Sequence, residues 1–313
     1  MPTEFKVSFP GLGIYQLEIS RIAFELQLFG HNLTIYWYGV LYATGFLVAL
    51  VLALRQADRF NLSKDDILDV FLVSIPLSVV GSRLYYVAFS WDQYADNLWR
   101  ILDLRDGGLA FYGGVLAGIL ALYLIGRAKQ IRLRHLTDFF APYLALGQAI
   151  GRWGNFFNQE AFGTYTELPW GMISEGTQHY LESIQYPYAN SPVHPTFLYE
   201  SLGNIVIFII LLRVRAKSKF PGETTAWYLA LYGLLRYFVE GLRTDSLFFA
   251  YSGLRVSQLL SLIMFLAGLA YLLVAYQRVR KSPAENLSAF ARPAGTTDSA
   301  NPEDPAEDKE KHS

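Results

Sequence analysis

The sequence predicts an all-α integral membrane protein of about seven transmembrane helices, N-terminus out and C-terminus in, and three observations carry that prediction. Of 313 residues, 52% are hydrophobic and 16% aromatic while only 17% are charged, a balance too apolar for an ordinary soluble globule. Apolar stretches of spanning length recur along the chain. Lys and Arg collect in alternate connections between them.

A spanning helix needs roughly 20 mostly apolar residues. Stretches that reach or approach this lie at about 36–54, 68–89, 109–126, 137–155, 196–213, 224–241 and 255–276. The fourth and sixth are the weakest, because each carries glycine and an ionisable end. Residues 1–35 lack the basic start and short apolar core of a cleavable signal, so they read as a retained periplasmic or interfacial arm. Residues 36–281 then form the helical domain, and 282–313, rich in Pro, Ala, Asp, Glu and Lys, read as a disordered cytoplasmic tail with no part in chemistry.

Orientation follows from the connections, since insertion leaves a cytoplasmic excess of Lys and Arg. Arg55, Arg59 and Lys64 follow the first stretch, and Arg127, Lys129, Arg132 and Arg134 follow the third. Arg213, Arg215, Lys217 and Lys219 follow the fifth, and Arg278, Arg280 and Lys281 the seventh. Residues 153–212 contain no Lys or Arg, so the long connection at about 156–195 should face outward.

Composition also excludes several function classes. A formal net charge of -1 provides no global basic field for nucleic acid. The chain has no cysteine, so disulfides, thiolate metal ligands and a cysteine nucleophile of its own are ruled out, and any thiol in its chemistry belongs to a substrate. His31, His135, His179, His194 and His312 show no ligand spacing such as HExxH; no metal and no cofactor are expected.

An Arg or Glu inside a spanning segment costs about 2.5 to 3.5 kcal/mol on insertion scales, so each one kept there needs a partner or a purpose. The second stretch carries Gly81-Ser82-Arg83, followed by Tyr85 and Tyr86. The fourth ends in a polar run from Gly151 to Gly163 that includes Arg152, Asn155, Asn158 and Glu160. On the sixth, Tyr232, Arg236, Glu240 and Arg243 fall within a stripe of about 80° at helical spacing, with Arg236 and Glu240 at i,i+4. With the inferred orientation, the polar starts of helices one, three and five (Tyr38, Gly107 to Gly114, His194 to Glu200) lie toward the outer leaflet. The polar ends of two, four and six (Arg83, Arg152, Arg243) lie there too. Six segments agreeing in depth imply one shared site.

Arginines with Asn and Tyr at headgroup depth suit a phosphate, because guanidinium pairs bidentately with phosphate oxygens and stays charged at low dielectric. A phospholipid headgroup is the obvious phosphate at that level. The glycine-rich run Gly107 to Gly114 allows close approach of backbone or substrate and equally serves helix packing.

These residues carry a resemblance. Gly151 to Gly163 resembles the GRxGNFxNxExxG signature of the prolipoprotein diacylglyceryl transferases. It is joined in order by Tyr38 in Trp-Tyr-Gly, by Gly107 to Gly114, by His194-Pro-Thr-Phe-Leu-Tyr-Glu200, and by Tyr232-Gly-Leu-Leu-Arg236 with Glu240 and Arg243, covering about 36–274. The resemblance implies a multi-pass enzyme of the bacterial inner membrane. It would move the diacylglyceryl group of phosphatidylglycerol onto the lipobox cysteine thiol of a prolipoprotein, forming a thioether and releasing glycerol 1-phosphate. It further implies that Arg152 and Arg243 hold the lipid phosphate, that Asn155, Asn158, Glu160 and Gly163 line the pocket with Arg83, and that Tyr38 and Tyr232 position headgroup or thiol. Arg236 and Glu240 would form a pair that fixes the sixth helix.

In one place the sequence departs from the family pattern. Where some members have a histidine considered as the base, this chain has Tyr112; the base is then Tyr112 or lies elsewhere, with His194 and Glu160 as alternatives. A membrane transporter of a small anionic solute and a non-catalytic lipid-binding subunit are the rival readings. The first would need polar groups continuing to the cytoplasmic side and an internal repeat, neither of which is visible. The second would need the phosphate site and no activating group.

Overall fold

The computed structural model describes residues 3–28, 30–103, 107–245 and 255–281, so the tail expected at 282–313 lies outside the described residues. Helices occupy all seven predicted segments: α1 (Trp37–Gln56), α2 (Lys64–Phe89), α3 (Phe111–Ala128), α4 (Leu133–Asn158), α6 (Thr196–Ala216), α7 (Glu223–Leu242) and α8 (Val256–Lys281). A short α5 (Glu175–Ser183) lies in the long connection after α4. Of these, α1, α2, α3, α6 and α8 are long and apolar enough to cross a membrane. Helices α4 and α7 have the length but fall short of that apolar measure, and Arg152 of α4 with Arg236 and Glu240 of α7 belong to the site described below. The protein is a helical, multi-pass membrane protein.

The segment before α1 corrects the all-α expectation. It is β-structure: β1 (Glu4–Phe9) pairs antiparallel with β2 (Ile14–Ser20), and β3 (Ile22–Leu28) with β4 (His31–Tyr36). Alternation explains the second hairpin. Phe24 and Leu26 face Ile35 and Leu33, while Glu25 and Gln27 pair with Thr34 and Asn32, the period-2 pattern of a strand. Windows of membrane-helix length average such short alternating runs away. The long connection returns to this region, where β5 (Ile173–Ser174) adds to β1 to give the order β2-β1-β5. Val7, Ile19, Phe156, Phe162, Met172, Leu181, Val193 and Phe197 form a core that joins these strands to the end of α4 and the start of α6.

Helix α4 is central, packing against α1, α6 and α7, while α7 packs on α8 and α2 pairs mainly with α3. At the far end of the bundle, Asp138 of α4 caps α7. Its carboxylate accepts from the Gly222 N–H and from the N–H (2.8 Å) and hydroxyl (2.7 Å) of Thr225, satisfying donors that the first turn of a helix leaves unpaired. Arg215, counted above among the basic connection residues, is buried there. It donates to Phe139 O and Gln56 Oε1, each at 2.6 Å, and stands 4.5 Å from the Phe60 ring centre.

Candidate functional site

The glycine spacing of the α4 signature has a physical reason. Gly151 lies against the ring of Tyr42 and Gly154 against the ring of Tyr38, so two glycines at i,i+3 on α4 seat two tyrosines at i,i+4 on α1. A Cβ at 154 would stand 2.8 Å from Tyr38 Cδ2, closer than real Cβ contacts allow. The two tyrosine rings meet at a tilt of 32° with 4.7 Å between centres, and the Tyr38 hydroxyl donates to the Tyr42 oxygen at 3.2 Å. Tyr38 thereby stands within electrostatic reach of Arg152 and Glu160.

Behind the tyrosines lies an ion network centred on Glu200 of α6. Its side chain is 2% exposed, and its two oxygens meet Arg152 Nε of α4 and Arg236 Nη1 of α7. Arg236 also pairs through Nη2 with Glu240 one turn on, at 2.5 Å, and Glu240 is likewise 2% exposed. Buried charges at this depth persist only when paired, so the network ties three helices together. Tyr232 hydrogen-bonds Arg152, and Arg152 Nη1 donates to Asn155 Oδ1 at 3.3 Å.

The more open rim is made by the end of α4. Glu160, an exposed residue, accepts through Oε1 from Asn155 Nδ2 at 3.0 Å and from Asn158 Nδ2 at 3.3 Å. Gln159, at φ 56°, ends the helix in the left-handed region, and Glu160 N–H closes back on Asn155 O at 3.0 Å. Gly163 then crosses two other segments. Its N–H donates to His194 O at 2.9 Å, it bridges to Arg243, and an added Cβ would stand 2.7 Å from His194 Cβ and 3.0 Å from Leu242 O. Only a glycine fits that crossing. Arg243 Nε and Nη2 take the two oxygens of Asp245 at 2.8 and 2.6 Å, with Glu240 and Glu200 in electrostatic reach.

His194 is held from its own neighbourhood. Trp170 Nε1 donates to the Tyr199 oxygen at 2.8 Å, and the Tyr199 hydroxyl shares a hydrogen bond with His194 Nδ1 at 3.0 Å. Burial holds His194 below its ordinary pKa, which keeps it neutral.

Two sequence-predicted residues stand apart. Arg83, 5% exposed, has its guanidinium covered by backbone carbonyls: Nε donates to Ile101 O (2.8 Å), Nη1 to Gly107 O (2.8 Å) and Gly108 O (3.1 Å), and Nη2 to Arg100 O and Asp103 O (2.6 Å each). Such an arginine organises the α2–α3 connection. Gly107 and Gly108, at φ 77° and 74°, present carbonyls to it, whereas Gly113 and Gly114 pack α3 against Gly81 and Ser82 of α2. Tyr112, on the same hairpin, meets the Phe111 ring at 5.9 Å, and among the described residues its hydroxyl makes no hydrogen bond to the Arg152 cluster.

Sequence reasoning placed Glu200 at the shared depth but gave it no role, and it left Tyr42 out of the site. Glu200 stands at the end of a quoted motif, and the insertion cost applied to the arginines already applies to a Glu within α6. Tyr42 has no such signal, because a tyrosine one turn beyond Tyr38 reads as apolar helix.

The fold and the site define a helical multi-pass membrane protein with guanidiniums, carboxylates, amides and phenols gathered where α1 and α6 begin and α4 and α7 finish. Comparison with known proteins makes this specific. The family model described as prolipoprotein diacylglyceryl transferase matches residues 22–274. The phosphatidylglycerol–prolipoprotein diacylglyceryl transferase of Finegoldia magna is 44% identical over 265 residues, spanning 84% of this chain and 99% of its own length. The proteins of the same name from Clostridioides difficile and Enterococcus faecalis are 40% identical over 270 residues and 43% over 285, covering 86% and 88% of this chain and 99% and 95% of their own lengths. The chain belongs to the prolipoprotein diacylglyceryl transferase family.

Proposed function

We propose that this chain is an enzyme that transfers the diacylglyceryl group of phosphatidylglycerol to the lipobox cysteine thiol of prolipoproteins, the first step of bacterial lipoprotein maturation. The substrate sulfur bonds to the glyceryl carbon that carries the phosphate. The carbon–oxygen bond breaks, its electron pair stays on the phosphate oxygen, and glycerol 1-phosphate leaves. The thiol proton passes to a base or to solvent.

The observation that carries this reading is the placement of Arg152. Glu200 meets its Nε, Asn155 accepts from its Nη1 and Tyr232 also bonds it, which fixes the guanidinium, and among the described residues no second carboxylate pairs with it. That is a fork for a phosphate on which negative charge builds. Arg243 is the second phosphate ligand, and its fork must exchange Asp245 for the lipid. Tyr38 and Tyr232 flank Arg152, and Asn155, Asn158 and Glu160 form the rim. Among the described residues Glu160 is the carboxylate of the site held by neutral amides and by no arginine, which favours it over His194 and Tyr112 as the proton acceptor. The charge asymmetry of the connections supports seven spans in the inner membrane, with 156–195 outside.

The purified protein, supplied with phosphatidylglycerol vesicles and a cysteine-bearing lipobox peptide, is expected to form a thioether detectable by mass spectrometry, with glycerol phosphate released in equal amount. Lipid binding without thioether would leave a lipid-binding subunit in its place. A single cysteine at Ser191 is expected to react with impermeant reagents only from outside; labelling from the cytoplasmic face overturns the orientation.

A further inference from the structure

Beside the arginine cluster lies a cleft of about 390 Å³ lined by Thr34, Ile35, Tyr36, Tyr38, Gly39 and Asn158. None of these side chains is charged, so the cleft does not suit a phosphate. One wall is β4, which pairs with β3 and with no other strand. Among the described residues, 32–35 make no backbone hydrogen bond outside the hairpin. An open strand edge with unpaired N–H and C=O groups is a template for another extended chain. An acyl chain would leave those groups unsatisfied; a peptide would not.

Tyr38 and Asn158 belong both to this cleft and to the reaction site. Two contacts keep the strand base in register with the end of α4: Arg21 donates to Asn158 O, and Trp37 stacks on Phe157 at 5.2 Å. The apolar face of the hairpin is exposed, with Phe24, Leu26 and Leu33 at 48%, 43% and 47%, and it would continue the face of an added apolar strand.

We propose that the thiol-bearing segment of the protein substrate docks in this cleft as a strand added to the β4 edge, bringing its sulfur to Tyr38 and Asn158. The proposal rests on the transferase reading above. It assigns the peptide to β4 and the lipid phosphate to Arg152, two sites that meet at Tyr38.

Gly39→Leu tests it, because a Cβ there meets nothing within 4 Å and the larger side chain fills the cleft without disturbing the fold. Thioether formation by this variant is expected to show a KM for the lipobox peptide raised about tenfold or more, with the KM for phosphatidylglycerol within about twofold of the parent. In this cysteine-free chain, Thr34→Cys is expected to form a disulfide with the cysteine of the same peptide under mild oxidation. An unchanged peptide KM with no disulfide, or a KM raised for the lipid instead, overturns the docking while the transferase reading stands. Failure of the parent protein to form thioether overturns both.

Discussion

Gly154 of α4 and Tyr38 of α1 are in direct contact, the glycine leaving room for a ring that a methyl group would meet at 2.8 Å. Tyr38 is therefore positioned by what α4 lacks. Gly154→Ala is expected to cost about 1 to 3 kcal/mol of stability through overpacking and to lower transfer by displacing Tyr38. Thermal unfolding in detergent together with the transfer assay checks both parts, and wild-type behaviour in each removes the seat.

Glu200 joins Arg152 and Arg236 across three helices. Glu200→Gln leaves two guanidiniums without their shared carboxylate, and breaking a buried pair in this way costs roughly 3 to 5 kcal/mol. Adding Arg236→Gln is expected to cost less than the sum of the single changes, since both act on one network. Additive losses in a double-mutant cycle contradict the network.

Arg152→Lys keeps the charge and loses the fork, because an ammonium cannot hold Glu200, Asn155 and a phosphate with one fixed geometry. A fall in kcat/KM of about 10²-fold or more is expected, with Arg152→Ala inactive and both still inserted in the membrane. Near-normal turnover of the lysine variant rules out bidentate phosphate recognition.

Tyr112 and Glu160 are separated by the same logic. Tyr112→Phe is expected to retain a measurable fraction of activity, since its hydroxyl makes no bond to the Arg152 cluster among the described residues. Glu160→Gln is expected to lose most activity at neutral pH and to recover part of it at alkaline pH, where a thiol of ordinary pKa about 8.5 ionises unaided. A Tyr112→Phe enzyme as inactive as Arg152→Ala returns the base to α3.

The pH dependence of stability has a definite sign at His194. Its folded pKa is lowered by burial, so as pH falls below the unfolded value of about 6.5 the unfolded chain takes up the proton first and the folded state loses stability. His194→Gln is expected to flatten that part of the thermal profile between about pH 6.5 and the lower folded value. An unchanged profile assigns the acid sensitivity to other groups.

The sequence by itself determined the seven helical segments, because apolar length is a local property. It also made the Gly151 to Gly163 signature legible, and with it the family whose model matches residues 22–274. Strands β1 to β5 were illegible to it, since short alternating runs vanish in windows tuned to twenty apolar residues. The tertiary structure alone decided how the buried arginines divide: Arg83 turns to backbone carbonyls, Arg215 to Phe139 O, Gln56 and aromatic rings, and Arg152 and Arg236 to Glu200. The N–H groups of a buried guanidinium must be satisfied by something, and composition cannot say by what. That choice depends on which distant segments the packing brings within a few ångströms, as α6 brings Glu200 between α4 and α7.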